Sequence, residues 1–176
     1  VKLTALADPD VEKRERRMAG MAKNLPARSK KELAAVSAFA DYESMILSGE
    51  IDAIIVALPN TLHAPASIFA MKHGVHVLCE KPPTNTTPEM KRVAKVAAQT
   101  GCTYMFGRQQ RFEARKDAAL KEIAKGTLGP IYHVESTWMR YSGIPYRHGW
   151  GVNKDHGGGV LLDLGIHKFD DAWYLM

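Results

Sequence analysis

The chain has 176 residues, enough for one compact domain or for parts of two. With 45% hydrophobic and 24% charged residues it has the composition of a globular protein, which excludes disorder. No run approaches the ~18 uninterrupted apolar residues of a membrane span, and no signal-peptide pattern opens the chain. The only cysteines, Cys79 and Cys102, lack a CxxC spacing, which argues against a disulfide scaffold or a zinc ribbon and for a reducing, cytoplasmic setting. The net charge of +5 is concentrated between Lys13 and Lys31, where eight of the 24 basic residues fall. That stretch carries no interleaved aromatics and no recognisable binding module, so it reads as a solvated helix face and not a nucleic-acid patch.

Strand and helix alternate along the chain. Residues 2–7 form a short strand that stops at Asp8-Pro9-Asp10, which opens a charged helix. Residues 51–58 are almost continuously apolar, as in a parallel strand buried on both faces, and Pro59-Asn60 breaks them. A helix over about 64–73 ends at Gly74, where a left-handed cap is expected. Residues 75–79 form the next strand. Thr87, Pro88 and Glu89 then read as an N-cap, a proline in the first turn and an early acid, opening a helix that runs to Gly101. Residues 102–106 form another strand. Such alternation predicts an α/β fold with a Rossmann-type parallel sheet and right-handed crossovers.

The pattern changes after Gly107, where we place a domain boundary between 1–107 and 108–176. An amphipathic helix over about 113–125 ends at Gly126, and residues 131–141 alternate like a strand with one wet face. A loop rich in Gly, Tyr and His follows, then Gly157-Gly158-Gly159 and a last helical stretch. The second segment reads as the start of an α+β domain.

A parallel sheet binds ligands at the carboxyl ends of its strands, and three features lie there. Asp8 ends the first strand, where an acid can hydrogen-bond both ribose hydroxyls of a dinucleotide or merely cap the next helix. Glu80-Lys81-Pro82 ends the strand 75–79. Its lysine can polarise a substrate oxygen, or it can form a surface pair with Glu80. Asp163 and His167 stand four apart in a helical stretch, a spacing at which a carboxylate can hold an imidazole that exchanges protons near neutral pH. A capping aspartate beside an unrelated histidine, or two metal ligands, would have the same spacing. No third ligand has a telling spacing, and no metal is expected.

The order of these features carries more than any one of them. Val56-Ala57-Leu58-Pro59-Asn60-Thr61-Leu62-His63 leads to Gly74-Val75-His76-Val77-Leu78-Cys79-Glu80-Lys81-Pro82, and the glycine run with Asp163 and His167 comes after. This series resembles the Gfo/Idh/MocA oxidoreductases, which include glucose–fructose oxidoreductase and inositol dehydrogenase, over nearly the whole chain. The resemblance implies a catalytic set of Lys81, Asp163 and His167. It implies cofactor contacts from Asp8, Leu58, Pro59, Asn60, His63, Glu80, Lys81 and Gln109, and a substrate loop that brings Arg147 and Trp150 beside His167.

The implied reaction passes a substrate hydroxyl proton to His167 while hydride leaves for a nicotinamide, with Lys81 stabilising charge on oxygen. NAD is favoured over NADP because Asp8 would repel a 2′-phosphate, and Lys13 and Arg14 lie too far along the helix to be the usual phosphate-binding arginine. The expected partners are a small sugar, inositol or related polyol and further copies of the same chain, as a dimer or tetramer. The family's first strand with its Gly-rich turn, and most of its second-domain sheet, have no counterpart in these residues, so the chain is expected to be part of a longer protein. Two alternatives stay open: a non-catalytic dinucleotide- or sugar-binding sensor, and an isomerase or glycosidase of the same fold that recycles bound NAD.

Overall fold

A computed structural model describes residues 2–23, 26, 33–139 and 153–176. Its first half is a parallel α/β sheet. Strand β1 (Ala5–Ala7) pairs with β2 (Ser37–Phe39), Ala5 opposite Ser37. Strands β3 (Ala53–Val56), β4 (His76–Cys79) and β5 (Tyr104–Phe106) form a second parallel ladder in that order, with Ile55, Leu78 and Met105 in one register row. Helices α1 (Val11–Lys23), α2 (Tyr42–Leu47), α3 (His63–Lys72) and α4 (Thr87–Thr100) make the crossovers, and α5 (Ala114–Ala124) and α6 (Ile166–Leu175) follow β5.

The core lies between the sheet and α2, α3 and α4. Ile54, Val56, Val77 and Cys79 point from the sheet onto Ala66, Ala70 and Met71 of α3 and Val93 of α4. Small residues on α3 let it sit close to the strands, and each fully buried side chain of the size of Val56 or Met71 contributes about 1.5–3 kcal/mol. Strand β3 is not buried on both faces as its apolar run suggested. Its burial alternates, and Ile55 is 68% exposed. Leu78 and Met105 in the same row are also exposed. The packed helices lie on the other face, and apolar character alone does not say which face a helix covers.

Two further expectations shift. The cap of α4 is Thr86, one residue earlier than the sequence suggested. Thr86 has extended backbone, its hydroxyl accepts from the Glu89 amide, and the Glu89 carboxylate accepts from the Thr86 amide at 3.1 Å. This capping box places the cap three residues before the acid. Residues 131–141 were expected to form a strand. In the described part, 131–139, no ladder forms, and Tyr132 is 90% exposed. Alternation becomes a strand only beside a partner, and none runs alongside among the described residues.

Charge placement agrees with the sequence reading. No described residue of α1 is buried, so its basic face meets solvent. Among the described residues no helix is long and apolar enough to cross a membrane.

Candidate active site

The residues at the carboxyl ends of the strands converge on the start of the last helix. Lys81 follows β4 and the turn residue Glu80, and its peptide bond to Pro82 is cis. The Lys81 ammonium donates to Asp163 twice, to Oδ1 at 2.5 Å and to the backbone carbonyl at 2.7 Å. Both side chains are half-buried. The contact joins positions 82 residues apart, and a charge-assisted bond with a second acceptor on the same residue fixes the ammonium more tightly than one contact would.

Asp163 lies in a π turn, Leu161–Gly165, which runs into α6. A π turn inside a helix re-aims its side chains and is frequent at functional sites. One turn on, His167 is 5% exposed. The indole of Trp138 packs edge-on against its ring, centroids 5.9 Å apart. Burial is the main reason the imidazole is held below its ordinary value, and the charges of Lys81 and Arg108 add to this. Asp171 and Asp163 pull it back in part. The ring is therefore kept neutral, ready to take a proton. The Asp163 carboxylate sits on Lys81, and among the described residues no hydrogen bond joins it to His167.

Three residues here were not singled out from the sequence. Arg111 grips the Asp170 carboxylate with both prongs of its guanidinium, at 2.6 and 2.9 Å, and Asp170 is buried. Arg108 donates to the Ile166 carbonyl at 3.0 Å. These contacts tie the turn after β5 to α6 and so hold His167 in place from behind. The Arg-x-x-Arg spacing directly after β5, with an acid three residues beyond His167, was a readable signal. Only their separation in sequence hid it.

The glycine run is held at its start. Asn60 is buried, and its amide donates to the Gly157 carbonyl at 2.8 Å. Gly157 has φ +76°, and a Cβ there would fall 2.4 Å from the Asn85 side chain. His63 opens α3, is buried, and directs both ring nitrogens at backbone carbonyls, those of Pro82 and Leu58. Leu58 and Pro59 are half-buried, and Glu80 and Gln109 are exposed at the ends of β4 and β5. Asn60 and His63 thus turn inward, while the other expected cofactor residues after β3, β4 and β5 reach the surface.

Asp8 does not cap α1. Its Oδ1 accepts from the Asp10 amide at 3.0 Å, and Asp10 in turn accepts from the Lys13 amide at 2.9 Å and caps the helix. Lys13 Nζ stands 2.7 Å from Asp8 Oδ2, and Arg14 donates to the Asp8 carbonyl. Burial alone would raise the Asp8 carboxyl, but Lys13, the Asp10 amide and Arg14 outweigh it and hold it below the usual carboxylate range. Lys13 and Arg14 nonetheless reach the strand end, because one helical turn brings long side chains back over it. Among the described residues no group of His, Cys, Asp and Glu could hold a metal ion, so the two-metal-ligand reading of Asp163 and His167 finds no third partner there. Arg147 and Trp150 lie outside the described residues.

A nicotinamide dinucleotide fits this donor set. An ionised acid follows β1, and polar or half-buried groups follow β3, β4 and β5, at the carboxyl ends of the two parallel ladders. Comparison with known proteins agrees. The family described as "Oxidoreductase family, NAD-binding Rossmann fold" matches residues 2–108, and the "GFO/IDH/MocA C-terminal domain" matches 117–176. The chain is 34% identical over 143 residues to D-glucoside 3-dehydrogenase of Escherichia coli K12, covering 80% of this chain and 40% of the relative. It is 30% identical over 138 residues to an NADP-dependent scyllo-inositol 2-dehydrogenase of Bacillus subtilis, covering 76% and 42%. A solved levoglucosan dehydrogenase in complex with NADH and levoglucosan superposes with a TM-score of 0.76 at 25% identity, over 99% of this chain and 45% of that one. The chain therefore spans about 40% of the length of the curated relatives it matches.

Proposed function

Since the chain belongs to the Gfo/Idh/MocA oxidoreductase family, we propose that the intact protein is a nicotinamide-dependent dehydrogenase of a sugar, inositol or related polyol. The observation that carries this is the meeting of Lys81 with Asp163, one helical turn before a buried, neutral His167. A pure binding module has no need of an acid–base pair at a sheet edge.

Asp8, Leu58, Pro59, Glu80 and Gln109 would hold the dinucleotide along the strand ends, with Lys81 beside its reactive ring. The bound nicotinamide supplies a hydride acceptor. His167 takes the proton of the substrate hydroxyl at the ring nitrogen facing the site. Lys81 donates to the same oxygen as charge develops there, and Asp163 holds Lys81. With the hydride accepted by a bound nicotinamide, the alcohol carbon would become a carbonyl. Trp138 excludes water from one side of the His167 ring. The resemblance gives Arg147 and Trp150 to the substrate.

NAD is the preferred cofactor. Asp8 stays ionised and opposes a 2′-phosphate, while Lys13 beside it softens that opposition without removing it. The domain division is 1–107 and 108–176, supported by family matches that part between 108 and 117. We read the protein as a cytoplasmic homo-oligomer with no nucleic-acid partner. Free Cys79 and Cys102 support the compartment, and the exposed Phe169 and Trp173 of α6 support the association.

The test is an absorbance screen for reduced nicotinamide with the intact protein, NAD or NADP, and a panel of sugars and inositols. Turnover that disappears in Lys81→Ala and His167→Ala while NAD still binds supports the dehydrogenase. Tight NAD binding with no net turnover on any polyol favours the sensor or the recycling enzyme. No binding of either dinucleotide overturns the proposal.

A further inference from the structure

His63 begins α3 and is only 1% exposed. Its Nδ1 lies 2.6 Å from the Pro82 carbonyl oxygen and its Nε2 2.8 Å from the Leu58 carbonyl oxygen. Carbonyls only accept, so the ring holds both at once only with a proton on each nitrogen, and with a single N–H it holds one of them. The two carbonyls belong to different working parts. Leu58 is in the turn after β3 that lies along the cofactor side, and Pro82 directly follows Lys81. The proline ring fixes φ between the Pro82 carbonyl and the lysine, and Pro82 is itself fully buried. Holding that carbonyl therefore holds the lysine backbone.

We propose that His63 is a positioning residue for the reaction: its ring ties the Leu58 turn to the Lys81-Pro82 turn and so sets where the Lys81 ammonium stands relative to the cofactor. This rests on the reading that Lys81 acts on the substrate oxygen. His63 takes no part in proton transfer with the substrate, because both ring nitrogens face backbone carbonyls.

The two contacts can be separated. The side-chain amide of asparagine reaches the place of Nδ1 and keeps a donor for Pro82. That of glutamine reaches the place of Nε2 and keeps one for Leu58. With the intact protein and a polyol that supports NAD reduction, H63A is expected to lower kcat by roughly 10–100-fold, as when a catalytic group shifts by about 1 Å. H63N is expected to keep most of kcat while KM for NAD rises. H63Q is expected to do the reverse, holding KM and losing kcat. A role confined to packing would move kcat and KM together in all three variants, in step with their melting temperatures, and that result overturns the proposal. So does wild-type behaviour of all three. K81M measured beside them separates the two levels. If K81M turns over normally, the reading of Lys81 falls and the positioning role falls with it. If K81M is inactive and H63N and H63Q show no split, only the positioning role falls.

Discussion

The Lys81 ammonium and the Asp163 carboxylate lie 2.5 Å apart, and the same ammonium reaches the Asp163 carbonyl. A residue at the carboxyl end of β4 is thus fixed by a residue of the turn that opens α6, and the Asp163 carboxylate holds Lys81 and not the imidazole. Lys81→Met should lower kcat/KM by about 10²–10³-fold, the range for losing one donor to a developing oxyanion. Asp163→Asn keeps the backbone contact and should cost less, about tenfold, because only the charge-assisted bond is lost. The double variant should be no slower than Lys81→Met alone, since residues acting as a unit are not additive. Additive losses in steady-state kinetics would mean that Asp163 works on His167 or the substrate directly.

The depressed pKa of His167 gives a pH signature. Oxidation needs the neutral ring, so a lowered pKa moves the acid limb of kcat/KM below about 6.5, the ordinary imidazole value. Activity should hold as the pH falls through that value and decline only further down. Burial is the largest cause and the Lys81 charge comes next, so Lys81→Met should raise the His167 titration seen by NMR whether or not the variant turns over. A downward move would contradict the assignment. The same shift carries a stability cost on acidification. As pH falls through the ordinary value, the unfolded chain takes up this proton more readily than the folded one, and stability falls.

The order of the parallel elements was legible because Pro59 closes one apolar run, and Gly74 and Gly101 end the helices just before the next two strands. The meeting of Lys81 with Asp163 was not legible from spacing, since two turns 82 residues apart share nothing local. The resemblance put both residues in one catalytic set but paired Asp163 with His167. Direction was the hardest thing to read. Asn60 and His63 sit in the expected turn after β3, but whether they face a cofactor or the Gly157 and Pro82 carbonyls depends on packing beyond that turn. The same holds for the exposed face of β3 and for the return of Lys13 over Asp8. Residues 131–139 failed as a strand because periodicity specifies a face and cannot supply the neighbour.

Cofactor choice should turn on the Asp8–Lys13 pair. Asp8→Ala removes the charge that opposes a 2′-phosphate and leaves Lys13 unpaired to receive it. The ratio of kcat/KM for NADP over NAD should rise by roughly tenfold or more, in keeping with relief of a like-charge contact. Lys13→Ala should lower the same ratio. An unchanged or raised ratio on losing Lys13 would contradict the role given to the pair.

Gly157 is the position where a small substitution should be felt furthest away. Its φ of +76° already disfavours any side chain, and an added Cβ would fall 2.4 Å from Asn85. Its carbonyl is the one that Asn60 holds at 2.8 Å. Gly157→Ala should therefore cost about 1–3 kcal/mol of stability, the usual range for a residue forced into a sparsely populated backbone region. Adding Asn85→Ala opens the crowded space but leaves the backbone strain, so thermal denaturation should recover only part of the loss. If that double variant regains full stability, the crowding was the whole cause and the left-handed backbone cost nothing. The glycine run leads into the turn that carries Asp163, and Asn60 ties it to the turn after β3, so kcat and the KM for NAD should both change.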